Sequence, residues 1–150
     1  MRLDKFQAAL VERLQPGVLT QRGFLGHDGR DLARIIEEDD VSVRSLGLTH
    51  LGVAARMRYL AAHGKAGFGD PVCPNGRHVI TYREAMGGAP CPWGDCPRVP
   101  NAVIRVQNEA LDREVTFTEL SVHLIGAHGF YQGRGSPFRL DPFDLRDVLW

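Results

Sequence analysis

Two short segments place sulfur and imidazole at repeated spacing. "CPNGRH" at 73–78 and "CPWGDC" at 91–96 both fit Cys-Pro-x-Gly-x-(His or Cys), and written out the order is C-x4-H-x12-C-x4-C. Zinc takes four soft or borderline ligands in a tetrahedron, and two turns that each supply a local pair can complete it. The first ligand set to expect is therefore Cys73, His78, Cys91 and Cys96. A second set keeps Cys91 and Cys96 and takes His123 and His128 in place of the upstream pair. Residues five apart on a regular helix point about 140° away from each other, so this second set needs a helix that tightens or ends at His128. Gly129 offers such an ending.

Two loops separated by a strand and a turn resemble a zinc ribbon in outline. The x4 spacing is wider than the ribbon's usual x2 knuckle. Cys-Pro-x-Gly is also what a type I turn asks for, with proline second and glycine fourth, so the same residues read equally well as two turns without metal.

A second chemical segment is "HGFYQGRGSPFRLDP", 128–142. Its glycines free the backbone, Arg134 and Arg139 offer forked donors, Ser136 adds a hydroxyl and Tyr131 a stacking face. These four residues are the candidate contacts for a small anionic ligand or a protein partner along 129–139. The glycine spacing matches no phosphate-binding fingerprint, and a loop that ends one helix and buries its own aromatics accounts for the same residues.

Catalysis has weaker support. Cys91 with His123 or His128 would form a thiol and its base, or part of a catalytic metal site, but nothing linear brings them together. Pro92 also biases Cys91 towards extended backbone, away from a helix N-terminus that would lower its pKa. The reading is a binding protein rather than an enzyme. A structural or oligomerisation module is the third possibility, with Trp93, Phe130, Tyr131, Leu149 and Trp150 forming a homodimer contact.

Eighteen basic and eighteen acidic residues cancel, which argues against non-specific nucleic-acid binding. The chain contains no apolar run of membrane-spanning length. Charges at Asp4, Lys5, Glu12 and Arg13 interrupt any signal-peptide core, and an odd cysteine count favours free or metal-bound thiols, so a cytoplasmic protein is expected. Sixteen of the eighteen basic residues are arginine, a bias that fits codon usage better than anion binding at many sites.

The elements that must position these groups are legible from periodicity. Leu3, Phe6, Leu10 and Leu14 predict an amphipathic helix over 3–15, stopped by Pro16-Gly17. Asp28 is the expected cap of a second helix carrying Leu32, Ile35 and Ile36 and ending at the acidic run 37–40, which is either solvated or met by an arginine from elsewhere. Thr49 caps a third helix with Val53, Met57 and Leu60 inside, closed by His63-Gly64. A strand is expected at 77–84 and a hairpin over 102–118 turning at 109–112. Thr116 with Glu119 suggests a capping box for a helix to Gly129, and Asp141-Pro142 launches the last helix. Helices, then strands, then two short helices predict an α+β fold with N-terminal helices on a small antiparallel sheet. The whole of 1–150 reads as one unit, with a subdomain seam near 65–72.

Overall fold

A computed structural model describes residues 2–15, 19 and 23–150, with side chains from residue 5 onward. It is an α+β fold: helices α1 (Arg2–Arg13), α2 (Leu32–Ser45) and α3 (His50–Lys65), strands β1 (His78–Ala89), β2 (Val99–Asn108) and β3 (Arg113–Thr118), then helices α4 (Glu119–His128) and α5 (Pro142–Leu149). The strands form an antiparallel meander in the order β1-β2-β3. Pro16-Gly17, the expected stop of the first helix, lies outside the described residues, as does the side chain of Leu3.

Alternation along the strands decides which face of the sheet is covered. Ile80 and Tyr82 of β1, Ala102, Ile104 and Val106 of β2, and Val115 and Phe117 of β3 are all buried. They pack with Val53, Met57 and Leu60 of α3, Val122 and Ile125 of α4, and Leu145, Val148 and Leu149 of α5. A two-residue period on the sheet meets a helical period on its cover, so one apolar layer serves both. A second cluster joins Leu10 of α1, Leu14 just past its end, Ile35 of α2, Phe24 and Leu25, Leu120 and Leu124 of α4, Phe130 and Cys91. The thiol of the β1–β2 connection thus belongs to a core, not to the surface.

Several expected boundaries shift, each for a local reason. Asp31 is the N-cap residue of α2. Asp28 instead accepts from Nε of Arg30 at 2.9 Å and from the backbone N–H of Arg134 at 3.0 Å, tying the approach to α2 onto the late loop. The helix then runs through the acidic stretch rather than ending there, because its carboxylates find partners. Glu38 pairs with Arg30 and Arg34, Asp40 pairs with Arg44 and accepts from His50 Nε2, and the buried Asp39 receives both terminal nitrogens of Arg139 at 2.5 and 2.9 Å.

Gly64 does not close α3, which continues to Lys65. A Cβ at Gly64 would sit 2.6 Å from Cγ2 of Ile80, so the glycine lets the helix lie directly on β1. Strand β1 extends to Ala89 across a register shift between Ala85 and Gly88. Near the anticipated seam, Val72 exchanges both backbone hydrogen bonds with Ile80, at 3.0 and 2.8 Å, so the segment after α3 is stitched to β1.

The capping box of α4 is two residues later than the sequence suggests. Thr118 Oγ1 accepts from the backbone N–H of Ser121 at 3.0 Å, while Ser121 Oγ accepts from that of Thr118 at 3.1 Å. Strand β3 continues through Thr116 and its ladder with β2 ends at Thr118, so the cap falls where the strand stops and the helix begins. No helix among the described residues is long and apolar enough to cross a membrane.

Candidate metal centre

The loop 90–98 leaves β1 and returns as β2, and its first feature is a turn. The backbone N–H of Gly94 donates to the carbonyl of Cys91 at 2.9 Å, with Gly94 at φ 70°, so Cys-Pro-Trp-Gly is the tight turn its residue types suggest. The turn also presents chemistry. Cys91 Sγ, Cys96 Sγ, a carboxylate oxygen of Asp95 and a ring nitrogen of His123 all lie within 4.8 Å of one another.

Helix α4 supplies the imidazoles, and its two ends fix where they point. The capping box sets the start, and Gly129 in the left-handed region at φ 61° sets the end, its N–H donating to Ile125 O at 3.0 Å. A side chain at position 129 would also strike the His50 ring, 3.0 Å from the nearest Cβ position. With the helix stopped at His128, the five-residue separation is bridged by a carboxylate between the rings. His123 Nε2 donates to Asp95 Oδ1 at 3.0 Å and His128 Nε2 donates to Asp95 Oδ2 at 2.9 Å. Cys91 is a third donor to the same group, 3.0 Å from Oδ1, and its sulfur lies 3.9 Å from His128 Nε2.

Three donors on one carboxylate govern the protonation pattern. The Cys91 thiol bond, followed by the two histidines, brings Asp95 down to about 2. Burial first, then the Asp95 carboxylate, pushes the Cys91 thiol up to about 12. Burial also lowers the pKa of His128, whose ring stacks on Trp93 with centroids 4.1 Å apart and planes 10° apart. Without metal, Cys91 is a protonated thiol at neutral pH, which is the wrong form for a nucleophile. A metal ion would displace that proton and take the sulfur as thiolate.

The first ligand set is not brought together. Cys73 is exposed, and His78 opens β1 while Cys91 lies beyond its end, separated by roughly 35 Å of extended chain. The sequence reading placed a short strand and turn between the halves, whereas one long strand occupies that interval. Both nitrogens of His78 are spent locally: Nε2 donates to Val148 O at 2.7 Å and Nδ1 accepts from Asn75 Nδ2 at 2.7 Å. "CPNGRH" is a turn whose Asn75 carboxamide also receives the backbone N–H groups of Arg77 and His78, at 3.0 and 2.8 Å.

Burial, with smaller effects from Arg56 and Arg77, lowers the pKa of His78 below the free imidazole value. The unfolded chain therefore takes up the proton more readily than the folded one. Stability is full above about pH 6.5 and declines below it, by at most about 1.4 kcal/mol per pH unit for each such histidine. Denaturant titrations of metal-free protein between pH 8 and 5 should show this fall, and His78→Asn should make it shallower. An unchanged slope in the variant would assign the effect elsewhere.

The four contacts expected along 129–139 have differing occupations. Arg139 is held by Asp39, Ser136 Oγ donates to Gln132 Oε1 at 2.5 Å, and the Tyr131 hydroxyl, 1% exposed as a residue, donates to His50 Nδ1 at 2.9 Å. Arg134 is exposed. Asp95 is the site residue missing from the sequence-based ligand sets, although a carboxylate immediately before the second cysteine is the available signal, and Trp93, expected in a homodimer contact, stacks on His128. Compared with family models, curated proteins and solved structures, the chain matches none.

Proposed function

We propose that the protein binds zinc through Cys91, Cys96, His123 and Asp95, and that the ion pins the β1–β2 connection to α4. The observation that carries this reading is the meeting of four donor atoms, from a loop and a helix, inside a sphere of metal-ligand size. Two thiolates and an imidazole favour zinc over the hard cations, which select oxygen. His128 supports the site from outside the set by holding the second oxygen of Asp95. The gain is mechanical. Residues 90–98 carry almost no ladder of their own, and a metal joining them to a capped helix replaces that missing framework.

Zinc analysis of untagged protein, with thiols counted before and after chelation, tests the proposal. The expected result is one zinc per chain, a rapidly labelled Cys73, and a Cys96 that reacts only after chelation. Cys96 is the informative thiol, because Cys91 is hidden by burial alone. Absence of zinc together with a freely reacting Cys96 would overturn the reading.

A further inference from the structure

We propose that Cys91 and Cys96 are a redox pair: a hydroperoxide joins them in a disulfide, and the zinc ion leaves. The proposal rests on the zinc reading above and concerns how the site is emptied. Two of the chain's three cysteines share one turn. The hydrogen bond from Gly94 N–H to Cys91 O at 2.9 Å, with Gly94 at φ 70°, folds the chain back. The Cys91 and Cys96 sulfurs consequently lie within 4.8 Å of one another. A disulfide holds its sulfurs about 2 Å apart, so the gap to close is under about 3 Å. That is about the travel of one sulfur between staggered χ1 positions. Cys73 stands outside this arrangement, because it is exposed and the whole of β1 lies between it and the pair.

The two sulfurs differ in access, which sets the order of events. Cys91 is 6% exposed and belongs to the second core cluster, whereas Cys96 is half-buried and packs against that cluster from outside. Solvent reaches the centre on this side, since the side chains of Asp95 and His123 are 39% and 22% exposed. The oxidant therefore meets Cys96 first. With zinc bound, both sulfurs are thiolates. Cys96 attacks one oxygen of hydrogen peroxide: an S–O bond forms, the O–O bond breaks and hydroxide leaves, giving the sulfenic acid. Cys91 then attacks that sulfur: the S–S bond forms, the S–O bond breaks and a second hydroxide leaves. Two thiolates and one peroxide become one disulfide and two hydroxides, the sulfurs giving up the two electrons that reduce the peroxide. Zinc keeps only one nitrogen and one carboxylate oxygen from the protein, half of a tetrahedral set. The neighbouring sulfur also stops the oxidation at a reversible stage, where a solitary sulfenic acid goes on to the sulfinic acid. Oxidation thus closes the turn on itself and undoes the metal joint between residues 90–98 and α4.

The experiment uses the full chain carrying Cys73→Ser, loaded with zinc and treated with hydrogen peroxide. Released zinc is read with a chelating dye and the state of each sulfur by peptide mapping. One zinc released for each Cys91–Cys96 disulfide is expected, and dithiothreitol should restore both the thiols and zinc binding. Zinc retained with both thiols intact in excess peroxide would overturn the proposal while leaving the zinc reading in place. Zinc loss with Cys96 carried to the sulfinic acid and Cys91 unmodified would overturn it as well, since the two sulfurs then do not meet. Protein that takes up no zinc at all would instead remove the zinc reading and the release step with it. The same peptide map on metal-free protein then decides whether the sulfurs pair.

Discussion

Cys96→Ser should abolish stoichiometric zinc binding and bring the thermal midpoint down to that of chelated wild type. The choice of residue matters. Cys91 is buried in the second core cluster, so its substitution would confound lost metal with lost packing, whereas Cys96 is only half-buried. Serine keeps the shape but does not offer a thiolate, and the ion loses one of two sulfurs. A ligand present at a thousand times its dissociation constant stabilises by about 4 kcal/mol. For a chain of this size that corresponds to a midpoint shift on the order of 10 °C. Chelator should lower the wild type by this amount and leave the variant unmoved, while Cys73→Ser should behave as wild type. If chelator shifts wild type and variant alike, Cys96 is not a ligand.

The second large effect lies away from the metal centre. Arg139→Ala should cost about 3–5 kcal/mol, because it strands the carboxylate of Asp39 inside the protein. That side chain is 6% exposed, and Arg139 meets it with two terminal nitrogens while one of them also donates to Gln132 O at 2.9 Å. One guanidinium thus joins α2 to the chain after α4 across a hundred residues of sequence. Domains are stable by only about 5–15 kcal/mol, so the variant should lose a large fraction of its margin in denaturant titration. Pairing it with Asp39→Leu should recover much of the loss, since a buried ion pair replaced on both sides is far cheaper than one broken on one side. A cost under about 1 kcal/mol would mean the pair behaves as a solvated surface contact.

What could be read in advance is what local physics controls. Amphipathic period, the Thr49 and Asp141 caps, and the 109–112 turn each depend on residues within a few positions, and all appear in the fold. The Thr116 cap is misplaced because Thr116 and Thr118 carry the same hydroxyl, and only the length of the β2–β3 ladder decides which one stands at the strand's end. Gly64 looked like a helix end because glycine there suits a left-handed cap equally well as a close approach, and Ile80, sixteen residues on, makes the difference.

The centre divides in the same way. Residue types and the Cys-Pro-x-Gly turns were enough to single out Cys91 and Cys96, and the glycine at 129 was enough to see that His128 would close a helix. Their partner could not be found that way. Cys73-His78 and His123-His128 are both plausible on spacing, and the choice turns on where a twelve-residue strand delivers its ends. Strand length is set by pairing with β2, a long-range interaction that carries no mark in the motif itself. By itself the sequence determined the donor types and the turns that display them. The tertiary structure decided which donors meet, because a ligand set is a set of distances, and those distances are fixed by the sheet register and the packing of α4 against the core.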